Sequence, residues 1–139
     1  MLLGKTLYTA RATAVGGRSG PVRSDDGVLD LQLAPPRKRV PGATNPEQLF
    51  ACGFAACFGS ALAEVGPRFG IDATAAHVDC AVDLGTVDTP GAYGLAVTLT
   101  VRMAGADPEA LRKAVEAADE VCPYSNAVRG NVTVTLQTA

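Results

Sequence analysis

One stretch constrains the whole chain: Asn45-Pro46-Glu47-Gln48-Leu49-Phe50-Ala51-Cys52-Gly53-Phe54-Ala55-Ala56-Cys57-Phe58-Gly59-Ser60-Ala61-Leu62-Ala63-Glu64. It opens as a helix should. Asn45 caps free backbone N–H groups, Pro46 suits the first helical position, and Gln48 stands where a capping box places its amide. Gly66-Pro67 cannot continue the helix and stops it near Val65. From Leu49 to Ala63 there is no charge, and small or apolar residues occupy every face. A helix apolar all round is a buried one. Its uncharged part is too short for a bilayer, so the reading is a core helix of a soluble fold and no membrane partner.

With 139 residues the chain has length for one domain, read as residues 1–139, with a substantial core. A net charge of −2 leaves no footprint for nucleic acid, and the Arg37-Lys38-Arg39 triplet, set among prolines, reads as a solvated loop. No basic-then-apolar leader precedes the first strand pattern, which points to the cytoplasm. In that compartment four cysteines read as catalytic, redox-active or simply buried rather than as a disulfide framework.

Alternation predicts a strand from Lys5 to Ala14, turns at Gly16–Pro21 and Asp25–Gly27, and a half-buried strand through Leu29, Leu31 and Leu33. A proline-rich loop from Ala34 to Ala43 leads into the central helix. Val78, Cys80, Val82 and Leu84 alternate with polar residues, as do Leu95, Val97, Leu99 and Val101, giving a hairpin. Asp107-Pro108 opens an amphipathic helix carrying Leu111, Ala114, Val115, Ala118 and Val121 on one face. Cys122-Pro123-Tyr124-Ser125-Asn126 interrupts it, and Val132, Val134 and Leu136 form a last strand. The fold class is α+β: a mainly antiparallel sheet wrapped around one long buried helix.

By residue type alone, Cys52, Cys57 and Cys80 are small buried hydrophobes. Cys52 and Cys57 stand about 140° apart around the helix and cannot bridge while it holds. Cys122 differs, because it precedes a proline where the helix must break or restart, and a helix N-terminus activates a thiol. Glu47 suits the positive end of its helix, and Arg18 in a glycine turn is a solvated loop residue on the plainest reading. Taken together they suggest more. A guanidinium beside a buried thiol would offset the cost of ionising it, and a carboxylate could hold that guanidinium. Phe50, Phe54, Phe58 and Leu62 can wall an apolar pocket or serve as plain core. One histidine and no CxxC pair speak against a metal site.

The chain closely resembles the organic hydroperoxide resistance proteins, a branch of the family named for the osmotically inducible protein C. The matching pieces are Leu7-Tyr8-Thr9-Ala10, Gly16-Gly17-Arg18, Asp26-Gly27-Val28-Leu29-Asp30-Leu31, Thr44-Asn45-Pro46-Glu47-Gln48-Leu49-Phe50-Ala51, Ala55-Ala56-Cys57-Phe58 and Val121-Cys122-Pro123-Tyr124-Ser125-Asn126-Ala127. The resemblance implies that Cys57 attacks the peroxide, that Cys122 resolves the product as a Cys57–Cys122 disulfide, and that Arg18 and Glu47 activate the attacking thiolate. It implies reduction of organic hydroperoxides to alcohols with no bound cofactor, and dihydrolipoamide or lipoylated proteins as electron donors. On these assignments Cys52 and Cys80 stay reduced. Cys52 departs from the family pattern, as does Phe54, which often corresponds to tyrosine.

Glu47 and Cys57 lie ten residues apart on one helix, about 15 Å along its axis. Service of one site therefore suggests an intertwined homodimer with antiparallel helices, Glu47 of one chain meeting Cys57 of the other. Rival readings are a general osmotically inducible-type peroxidase, a thiol redox sensor without turnover, and a structural dimer with inert cysteines.

Overall fold

The computed structural model describes every residue, Met1–Ala139. The chain divides into two compact units, Met1–Pro46 and Glu47–Ala139.

The first unit is an antiparallel meander of β1 (Ala12–Ala14), β2 (Pro21–Ser24) and β3 (Asp30–Gln32). Ala14 pairs with Val22, and Val22 with Leu31. The Asp26-Gly27 turn is held by Asp26 Oδ1, which accepts from Ser24 Oγ at 2.6 Å and from the Val28 amide at 3.0 Å. The proline-rich loop closes on itself, with the Thr44 amide donating to Gln32 O and the Ala34 amide to Thr44 O. The strand expected from Lys5 is corrected: only Ala12–Ala14 is strand. Alternation supplies a face but not a hydrogen-bonded neighbour, and β2 reaches no further than Ala12. Leu7 and Tyr8 are left 89% and 82% exposed. The sequence reading had also missed β2, which hides between two turn signals.

In the second unit, α1 (Pro46–Val65) begins and ends where its proline and glycine signals require. A 3-10 turn, Gly66–Phe69, extends the helical run to 24 residues, long and apolar enough by composition to cross a membrane. Length therefore does not exclude a span, contrary to the expectation from sequence; what ties the helix to the rest of the fold is its buried face. Phe54, Phe58, Leu62 and Val65 are fully buried. They share one cluster with Val97, Leu99 and Val101 and with Leu111, Val115 and Ala118. Truncating a buried phenylalanine there to alanine costs about 3–5 kcal/mol. Within a single chain α1 is left uncovered along one stripe, where Gln48, Cys52, Ala56, Ser60 and Glu64 are exposed; this is the face that the expected dimer would have to cover. Cys52 lies on it, a surface thiol of the single chain where a core residue is expected.

β4 (His77–Thr86) and β5 (Tyr93–Arg102) form the expected hairpin, with Cys80 opposite Leu99. Val78 touches α1 at Gly59, where an added Cβ would lie 3.7 Å from Val78 Cγ2. β6 (Thr133–Thr138) joins β5 in parallel, Val97 beside Val134. A parallel neighbour needs a crossover, supplied here by α2 (Pro108–Val121) and α3 (Pro123–Val128). Asp107 caps α2, its Oδ2 accepting from the Ala110 amide at 3.0 Å.

Candidate functional site

Cys122 is both the last cap of α2 and the first cap of α3. Pro123 has no N–H to continue α2 and fits the first position of a new helix, so the chain kinks there and restarts. The backbone groups of Cys122 stay satisfied across the kink: its amide donates to Ala118 O and its carbonyl accepts from the Asn126 amide, both at 2.9 Å. Arg129 fixes the angle from the far end, its Nη2 donating to Asp119 O at 2.6 Å.

This kink aims Cys122 at α1. Its Sγ lies 3.6 Å from Cys57 Sγ, with the Cys122 thiol donating to Cys57. Both cysteines are free thiols. A disulfide bond is about 2.05 Å long, so the pair is placed to close with a small side-chain movement. The two residues differ in exposure, because Cys122 is fully buried while Cys57 keeps surface.

Burial pushes the Cys57 thiol pKa above its ordinary value, and the Cys122 thiol adds to that rise. The backbone N–H of Tyr124, in the first turn of α3, opposes it by hydrogen bonding to the Cys57 sulfur. Tyr124 is a site residue that sequence reasoning quoted but assigned no role. Its ring meets Phe50 and Phe54 at centroid distances of 6.2 and 5.7 Å. Its contribution to Cys57 is a main-chain donor, which no side-chain identity signals.

The other expected site residues are placed as follows. Glu47 lies in the first turn of α1. Arg18 belongs to the first unit, in the 3-10 turn Gly17–Ser19 between β1 and β2. Of the four apolar residues, Phe54, Phe58 and Leu62 are fully buried in the core cluster, and Phe50 alone keeps surface. Cys80, half-buried on β4, has its thiol pKa raised by burial first and by Cys52 second. No group of three His, Cys, Asp or Glu side chains is arranged to hold a metal ion. A surface cleft of about 320 Å³ is lined by Arg68, Phe69, Asp107, Glu109, Ala110 and Lys113, and includes neither thiol of the pair.

Residues 39–137 match the family described as OsmC-like protein. The chain is 45% identical over 133 residues to organic hydroperoxide resistance protein OhrB of Bacillus subtilis, covering 94% of this chain and 97% of that one. It is likewise 45% identical to the organic hydroperoxide resistance protein of Xanthomonas axonopodis pv. citri, over 97% of this chain and 96% of the other. The crystal structure of B. subtilis OhrB superposes with a TM-score of 0.89 at 43% identity, covering 96% of this chain and all of that one. An organic hydroperoxide resistance protein from Elizabethkingia anophelis superposes at 0.87 with 42% identity, over 97% and 98% of the two chains.

Proposed function

The chain belongs to the OsmC-like family, and on that premise we propose that it is a cysteine-based peroxidase reducing organic hydroperoxides to alcohols. The observation that carries this reading is the 3.6 Å approach of two free thiols, one partly exposed and one buried, at the start of α3.

The Cys57 thiolate attacks the outer peroxide oxygen, the O–O bond breaks, and the alcohol leaves with a proton. Cys57 is then a sulfenic acid. Cys122 attacks its sulfur, releasing water and closing the Cys57–Cys122 disulfide. Burial disfavours the Cys57 thiolate, so a positive partner is required beyond the Tyr124 amide. Arg18 and Glu47 match the family's activating positions, and the resemblance alone assigns that role to them. Phe50, against Tyr124, offers the apolar contact for an alkyl or fatty-acyl tail, with Phe54, Phe58 and Leu62 packed beneath. A dihydrolipoyl group, free or on a lipoylated protein, then reduces the disulfide. The reaction belongs in the cytoplasm, where dithiol donors persist.

The working unit is a homodimer. Two surfaces support this: the exposed stripe on α1, small at Cys52, Ala56 and Ser60, and the N-terminal segment with Leu2, Leu3, Leu7 and Tyr8 turned to solvent. The test of function is consumption of cumene hydroperoxide in the presence of dihydrolipoamide. Sustained turnover is expected; a single stoichiometric oxidation with no turnover would make the protein a redox sensor instead.

A further inference from the structure

Ser125 Oγ is buried and has no hydrogen-bond partner, in a residue only 2% exposed. A buried hydroxyl left unsatisfied costs about 1–3 kcal/mol, so its retention calls for a reason. Its place in the fold supplies one. Ser125 is the third residue of α3, and Cys122 is that helix's cap. In a capping box the side chain at this position reaches back toward the cap residue, and the cap side chain toward this residue's amide. The orphan hydroxyl thus belongs to the same first turn as the resolving cysteine, with no hydrogen bond to its sulfur in the reduced protein.

Exposure fixes the direction of disulfide opening. Cys57 keeps surface and Cys122 has none, so an incoming thiolate reaches Cys57 Sγ and the electron pair of the S–S bond leaves on Cys122 Sγ. Negative charge then develops on a fully buried atom, where desolvation is severe. Of the first-turn main-chain donors only the Ser125 N–H, at the third helical position, is left to meet it beside the Ser125 hydroxyl. Pro123 has no N–H, and the Tyr124 N–H is directed to Cys57.

We infer that Ser125 is a positioning residue for the redox pair, its hydroxyl turning to donate a hydrogen bond to the Cys122 sulfur as the disulfide opens. The inference rests on the peroxidase reading above. The step balances with a dithiol as reductant. One thiolate of the dithiol bonds to Cys57 Sγ, and Cys122 leaves as the thiolate held by Ser125 Oγ–H and takes up a proton. The second thiol then attacks the mixed disulfide, closing the reductant's own ring and freeing Cys57. The dithiol is oxidised and the protein disulfide reduced.

The experiment mixes the oxidised full-length protein with excess dithiothreitol and counts free thiols over time by alkylation and mass spectrometry. Ser125→Ala is expected to open its disulfide about tenfold more slowly than the wild type. Thermal stability of the reduced variant should not fall, since an unsatisfied hydroxyl has been removed. Ser125→Gly, also lacking the hydroxyl, should slow opening in the same way. An unchanged opening rate in both variants would overturn the inference. So would failure of Ser125→Ala to fold, which would mean that the hydroxyl is satisfied in the reduced protein. If hydroperoxide forms no Cys57–Cys122 disulfide in the wild type, the peroxidase reading itself is lost; if that disulfide forms and only the Ser125 effect is missing, this inference alone falls.

Discussion

The Tyr124 hydroxyl rests against the backbone of Gly53: a Cβ built on Gly53 would stand 2.9 Å from Tyr124 Oη. Glycine in mid-helix sacrifices about 1 kcal/mol relative to alanine, and here it admits the ring of the residue whose amide serves Cys57. The Tyr124 ring is also bounded by Phe50 and Phe54, so its room to retreat is limited.

Gly53→Ala should therefore depend on its background. In a Tyr124→Ala protein it should gain about 1 kcal/mol, as helix propensity dictates. With Tyr124 present the crowding should cancel or reverse that gain, because overpacking costs about 1–3 kcal/mol. A double-mutant cycle measured by urea unfolding reads the difference directly. Equal gains in both backgrounds would show that the contact carries no energy.

The two thiols should separate the half-reactions. Cys57→Ser is expected to abolish hydroperoxide consumption. Cys122→Ser should oxidise once, then stall as a sulfenic acid open to overoxidation. Peptide mapping after mild oxidation should find Cys57 joined to Cys122, with Cys52 and Cys80 still reduced. A bridge to Cys52 or Cys80 instead would reverse the assignment.

The pH response follows from the causes acting on Cys57. Burial and the neighbouring Cys122 thiol favour its neutral form, so thiolate accumulates only as pH rises through an elevated pKa. Alkylation of Cys57 should accelerate about tenfold per pH unit below that point. Cys122→Ala removes one of the two raising influences and should move the midpoint down. Arg18→Ala should move it up and slow peroxide attack. A rate independent of pH between 6 and 9 in all three proteins would contradict this.

Local chemistry made much of the fold legible. The Asn45-Pro46 start and Gly66-Pro67 stop frame α1, and Asp107-Pro108 starts α2 where its cap is seen. What the sequence hid depends on distant partners. Lys5–Arg11 alternates like a strand yet has no strand beside it, and β6 lies parallel to β5 because of the intervening crossover. Cys57 and Cys122 are 65 residues apart, and spacing could not join them; family resemblance suggested the pair and the fold brings it together. Cys52 was misplaced because an all-apolar helix gives no periodic signal for the face left open.

Assembly can be tested by size and by complementation. Sedimentation should report a species of twice 14.2 kDa. If Glu47 of one chain serves Cys57 of the other, Glu47→Ala and Cys57→Ser proteins should each be impaired alone. Unfolded and refolded together, they should recover part of the activity, because a mixed dimer holds one intact site. No recovery from a mixture shown to contain mixed dimers would place both residues in the same chain's site.

The reductant is set by access to the bond it must open. Cys122 is fully buried and only Cys57 keeps surface, so attack must come at Cys57, and a narrow apolar approach is expected there. Glutathione is bulky and charged, and as a monothiol it needs a second molecule to finish. Thioredoxin presents its cysteines on a broad protein surface that would have to mate with a recessed bond. A dihydrolipoyl arm is slim and apolar, and its second thiol completes the exchange intramolecularly, where effective concentrations are very high. In a steady-state assay with cumene hydroperoxide, dihydrolipoamide should support turnover by orders of magnitude, at least ~100-fold, over glutathione at equal thiol concentration, a barrier difference of about 2.7 kcal/mol. Equal rates with glutathione or thioredoxin would mean that the disulfide is openly reached, and the narrow apolar approach would have to be abandoned.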